Sequence, residues 1–129
     1  MIKKHIRLIL WLPVFIWLEI IFLLSSIPAS LLPHMLSDSW LFWAHRIAHI
    51  CEYSTLGILL IRAYKFERGQ MSLKMIIFLM FFILLAGLLD EWHQSFVPGR
   101  HAQFIDAYFD TICGTLGMFI YYKWPRKNV

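Results

Sequence analysis

The chain has 129 residues, 60% of them hydrophobic and only 16% charged, with a net charge of +4. A soluble domain has about a quarter of its residues charged, so lipid must be the solvent for much of this chain, and the length suits a single domain over 1–129. Nucleic-acid binding is excluded, because the basic residues form no stripe; they sit in clusters flanking apolar runs, at Lys3, Lys4 and Arg7, at Lys65, Arg68 and Lys74, and at Lys123, Arg126 and Lys127.

The first apolar run spans about 8–27, enough to cross ~30 Å of hydrocarbon. It carries Glu19 near its middle and Pro13 early, and Pro28 and Pro33 follow it. A signal-peptide core is shorter, and no small-x-small cleavage site follows, so this run reads as an uncleaved first span. Residues 28–43 hold no Lys or Arg but include Leu31, Leu32, Met35, Leu36, Trp40, Leu41, Phe42 and Trp43. They are expected in the headgroup region, with Trp40 and Trp43 as belt residues and His34 interfacial like His5 and His101. The second span, about 44–64, begins polar and ends apolar. The third, about 72–93, is apolar without a break from Met75 to Leu89, and the fourth, about 103–123, carries Asp106 and Asp110. Cys51 and Cys113 fall within apolar stretches, as membrane-helix cysteines do.

The expectation is therefore an all-α, polytopic four-transmembrane-helix bundle in the cell membrane. With both termini cytoplasmic, the inside segments 1–7, 65–74 and 124–129 hold nearly all the loop Lys and Arg, and the outside segments hold Arg100 alone, in keeping with the positive-inside rule.

This topology puts polar groups from all four helices at one level, near the outer face. Ser25 and Ser26 close the first helix. His45, Arg46, His49, Glu52 and Tyr53 lie in the outer half of the second, within an arc of about 120°. Asp90, Glu91, His93 and Gln94 end the third. Gln103, Asp106 and Asp110 open the fourth, on one face with Gly114 and Gly117. Glu91, a quarter-turn from Asp90, is expected at the outer rim. Ala86, Gly87, Gly114 and Gly117 are small enough for close helix approach. Five acids (Glu52, Asp90, Glu91, Asp106, Asp110) face two fixed bases, Arg46 and Arg100. Three carboxylates therefore need a proton, a histidinium, a metal or a cationic ligand. Pro98-Gly99 predicts a type II turn that holds Arg100 over the mouth of the bundle, for phosphate or carboxylate, or for pairing with Glu91 or Asp106.

The run Asp90-Glu91-Trp92-His93-Gln94-Ser95-Phe96-Val97-Pro98-Gly99-Arg100 resembles the D-E-x-H-Q-x-F-V-P-G-R signature of VanZ-like membrane proteins. Asp106, Asp110-Thr111, Gly114 and Gly117 resemble the segment that follows it. Arg46, His49, Glu52-Tyr53 and Leu56-Gly57 resemble an earlier family element, and Ser25-Ser26 with Pro28 the family's S-S-x-P. The resemblance covers nearly the whole chain in motif order. It implies a cell-envelope membrane protein, since the family's namesake is associated with teicoplanin resistance, and it implies no particular reaction.

Three functions suit these residues. In a membrane enzyme acting on an anionic envelope lipid or lipid-linked precursor, His49, His93, Glu52, Asp90 and Glu91 are the candidate catalytic groups. Arg46, Tyr53, Gln94, Arg100, Asp106 and Asp110 would bind the substrate, and Asp90, Asp106 and Asp110 are candidate ligands for a divalent cation. A non-catalytic lipid or drug binder or carrier would use the same arginines. A structural subunit would dock a protein partner, or another copy of the chain, through the polar layer.

Overall fold

The computed structural model describes residues 2–31, 38–68 and 71–124, with side chains for 8–31, 39–65 and 71–124. The interfacial roles expected of His5, His34, Leu32, Met35 and Leu36 fall outside these residues, as do the side chains of the basic residues at 3, 4, 7, 68, 126 and 127. Among the described residues the chain forms four α-helices and no strand: α1 (Ile2–Ser25), α2 (Asp38–Arg68), α3 (Leu73–Gln94) and α4 (Phe104–Lys123). A short 3-10 turn, Ala29–Leu31, follows α1.

The all-α expectation holds, with two boundary corrections. The helix expected over 8–27 starts earlier, and it stops at Ser25, three residues before Pro28. Residues 38–43, expected as part of an interfacial segment, are the first turns of α2. Between Pro33 and this point the sequence has no proline or glycine to break a helix. Trp40 and Trp43 remain exposed on those turns. Ser72 caps α3 by accepting the Met75 N–H at 3.3 Å, which fixes the start expected at 72. Gly99 has φ +76°, as the turn chemistry of Pro98-Gly99 requires.

Among the described residues two helical stretches are long and apolar enough to cross a membrane, Leu8–Ser25 and Leu73–Gln94. The outward faces are apolar along much of their length: Leu12, Phe15 and Ile16 on α1, Phe78, Phe81 and Leu85 on α3, and Ile112, Leu116 and Phe119 on α4 are all exposed. Glu19 also lies on the exposed face of α1.

The interior is divided by level. One half is an apolar core of Val14, Ile21, Leu56, Leu60, Leu79, Ile83 and Met118. In the other half, toward the α3–α4 turn, the buried side chains are polar: Ser25, His49, Glu52, Asp90, Glu91, Gln94, Asp106 and Asp110. Helices α2 and α4 make the closest seam. A β-carbon built on Gly57 would stand 2.0 Å from the Gly114 carbonyl oxygen, and one on Gly117 2.3 Å from that of Ser54. Gly87 meets Ala107 across α3 and α4 less tightly, its β-carbon position 3.1 Å from the Ala107 Cα. The close approach expected of Gly87, Gly114 and Gly117 is present, and Gly57 joins them. The Trp17 indole N–H donates to the Glu52 carbonyl at 2.8 Å, tying α1 to α2.

Candidate functional site

The close α2–α4 seam sets the register of two charged pairs above it. The Arg46 guanidinium meets the Asp106 carboxylate, and it lies over the rings of Phe42 and Phe109 at 5.3 and 5.9 Å. One turn deeper, His49 Nδ1 faces both oxygens of Asp110, at 3.1 and 3.2 Å. Asp110 is fully buried and His49 only 4% exposed. A carboxylate on Nδ1 fixes the ring's orientation and, with the imidazole neutral, its tautomer, so the lone pair is at Nε2. Such a base-and-orienter pair can move a proton or hold a metal.

From α3, Asp90 is held by neutral donors. The Ser25 hydroxyl donates to one oxygen and the Gln94 amide to the other at 2.8 Å. His93 leans away from this pair: its Nε2 meets Ser26 Oγ at 2.9 Å and its ring packs on Phe22.

Glu91 corrects the expectation of a rim group. It is 1% exposed, and its Oε2 accepts the Gln103 backbone N–H at 2.7 Å. Gln103 is the N-cap of α4 and makes no side-chain cap bond of its own. The carboxylate therefore caps α4 from outside the helix, where the dipole favours negative charge. Its other oxygen, Oε1, is buried without a hydrogen-bond partner, and so is the Tyr53 hydroxyl.

Arg100 is also placed differently from the expectation. It pairs with neither Glu91 nor Asp106. Its Nε–H donates to the Ile27 carbonyl at 3.0 Å and a terminal N–H to that of Leu24 at 3.4 Å, capping the C-terminal end of α1. The Ala29 N–H donates to the Pro98 carbonyl beside it. No pattern in the sequence signals this pairing, because its acceptors are backbone atoms.

Two cavities flank the buried layer. One, of about 350 Å³, lies between α1 and α3 and is apolar except for Tyr53, Asp90 and His93. The other, of about 300 Å³, lies between α1 and α2. Leu24, Ile27, Leu41, Ala44 and Ala48 form its apolar wall, and His45, His49, Glu52, Gln94 and Arg100 its polar end. The two candidate catalytic histidines, His49 and His93, thus line different cavities. The candidate metal ligands separate too, since Asp106 is committed to Arg46 and Asp110 to His49. The ligand atoms that converge, all within 4.8 Å of one another, belong to His49, Asp90 and Glu91.

The fold and site define an all-helical protein with membrane-length apolar helices and a buried histidine–carboxylate layer at one end. A family model for VanZ/LLP1 matches residues 10–125, and the chain belongs to that family. Neither a curated protein nor a solved structure matches the chain.

Proposed function

We propose that this protein spans the cell membrane four times with both termini in the cytoplasm, and that it takes the head of an anionic amphiphile into the cleft between α1 and α2. The amphiphile is an envelope lipid or lipid-linked precursor, which is the route by which the protein would influence the response to glycopeptide antibiotics. Family membership and the two membrane-length helices support the membrane placement. For α2 and α4, Arg46 and His49 meet Asp106 and Asp110 inside the bundle, as ionisable groups within a membrane do.

The cleft carries the reading. Its apolar wall suits a chain, and its polar end offers the edge of Arg100 and two imidazoles, His45 and His49, whose ring centroids are 4.3 Å apart. Arg100 meets the phosphate or similar group. His49, oriented by Asp110, is the centre of the chemistry. A carrier that binds the same head without turnover is the second reading. It is favoured by the engagement of both arginines in structural contacts, which leaves few groups to act on a substrate.

Native mass spectrometry of protein purified with its lipids tests the site. Wild type should retain a defined anionic lipid, and Ala48→Phe, which puts a bulky side chain on the apolar wall of the cleft, should not. Turnover of that lipid by wild type and not by His49→Ala establishes the enzyme; stoichiometric binding without product establishes the carrier. Equal, nonspecific lipid on both proteins refutes the cleft assignment.

A further inference from the structure

We infer that His49, Asp90 and Glu91 form a binding site for one divalent transition-metal ion, of the Zn²⁺ or Mn²⁺ type. The inference concerns the buried layer itself and stands whether or not an amphiphile enters the cleft.

Three features point to it. The first is convergence: one donor atom from each of these three buried residues lies within 4.8 Å of the other two. Three ligands about 2.1 Å from a shared ion stand about 3.0–3.6 Å from one another, so side-chain movements of about 1 Å close the set. The second is an open valence. Glu91 is 1% exposed, yet its Oε1 has no partner, while Oε2 is held by Gln103. A buried carboxylate oxygen gives up its hydration, and that loss is costly unless another group replaces it. The third is the orientation of His49. Asp110 occupies Nδ1, so Nε2 is the nitrogen left for a ligand, an arrangement used where a carboxylate orients a metal-binding imidazole.

Charge supports the same assignment. Among the described residues Arg46 is paired with Asp106, whereas Asp90 and Glu91 receive only neutral donors, and His49, which must be neutral to bind a metal, adds no charge. Two adjacent buried carboxylates match a doubly charged cation. Their hydrogen bonds to Ser25, Gln94 and Gln103 fix the oxygens from outside, as outer partners of metal ligands do. One imidazole with two carboxylates suits Zn²⁺, Mn²⁺ or Fe²⁺. Ca²⁺ needs six to eight oxygens, which three residues do not offer. Remaining positions would fall to water or to the buried Tyr53 hydroxyl, which lacks a partner and whose ring stacks on His49.

The test uses the full chain in detergent, with any affinity tag removed and metals stripped with EDTA. Titration with Zn²⁺ by calorimetry and with Mn²⁺ by electron paramagnetic resonance should each give one site per chain, with Mg²⁺ far weaker. Co²⁺ should give visible absorption bands of a mixed nitrogen–oxygen site without sulfur ligation, a readout that needs no variant. Glu91→Gln keeps the acceptor for Gln103 and should lower affinity at least tenfold. His49→Ala should abolish the site, and Asp110→Asn should weaken it 10- to 100-fold through the imidazole. Wild type that binds no metal stoichiometrically, or that binds equally well in Glu91→Gln and His49→Ala, overturns the assignment. Failure of lipid capture with intact metal binding would instead count against the cleft alone.

Discussion

Replacing Gly57 with alanine should open the α2–α4 seam and disturb the buried layer from a distance. The new β-carbon would stand 2.0 Å from the Gly114 carbonyl oxygen and 2.8 Å from its carbon. Both obstacles are backbone, so no side chain can rotate aside. Reaching even 3.0 Å, the tightest separation that real β-carbons tolerate, parts the helices by about 1 Å. Overpacking of this kind costs about 1–3 kcal/mol, and an obstacle made of backbone places Gly57→Ala near the upper end. His49 lies about 12 Å along α2 from this point. If the helices part as rigid rods, its 3.1 Å contact with Asp110 lengthens to about 4 Å, beyond hydrogen-bond range. Thermal unfolding of the detergent-solubilised protein should therefore show a fall of several degrees for Gly57→Ala, and metal affinity should fall with it. Gly87→Ala is the matched control. Its β-carbon meets Ala107 at 3.1 and 3.2 Å, a conflict relieved by a few tenths of an ångström, at a cost below about 1 kcal/mol. Gly57→Ala melting within about 2 °C of wild type, or no lower than Gly87→Ala, would refute the steric argument.

Arg100→Ala should destabilise the protein by about 1–2 kcal/mol in the same melting assay, by stripping two donors from the last carbonyls of α1, and Arg100→Lys should recover part of the loss. Glu91→Ala leaves the Gln103 N–H without its acceptor and should cost about 1 kcal/mol, whereas Glu91→Gln keeps that bond and should melt above the alanine variant. Fusions at residues 70 and 124 should fluoresce with green fluorescent protein and those at 98 should be active with alkaline phosphatase; the reverse pattern would overturn the proposed orientation.

The helices were legible because apolar runs and breakers mark them plainly: Ser72 caps α3, and Pro98-Gly99 turns the chain before α4. The outer turns of α2 were harder to read. Trp40, Phe42 and Trp43 look the same on a helix as in an interfacial loop, and neither periodicity nor a breaker separates the two over six residues. The buried layer was also legible, since helices running in alternating directions bring 25, 49, 90 and 110 to one level. What the sequence did not carry was pairing within that layer. Helical periodicity gives the face of each residue but not the rotation of one helix against another, so it did not distinguish Asp106 from Glu91 as the neighbour of Asp90. Glu91 and Arg100 were assigned outward roles because their partners, the Gln103 N–H and the carbonyls of Leu24 and Ile27, are backbone atoms, which every residue possesses.

The two pairs of the α2–α4 seam also have a direction in time. Arg46 and His49 belong to the earlier helix, and their acids, Asp106 and Asp110, to the last one. Ser25, which binds Asp90, comes earlier still. In the proposed four-span arrangement, a chain synthesised from its N-terminus presents Ser25, Arg46 and His49 to the bilayer before the carboxylates of α3 and α4 that they meet. A positive group near the surface can rest among lipid phosphates until its partner arrives, and an acid there meets the same negative surface without relief. That order lets Asp90, Asp106 and Asp110 enter against partners already in place, and a product cut short after α3 would keep Arg46 unmatched.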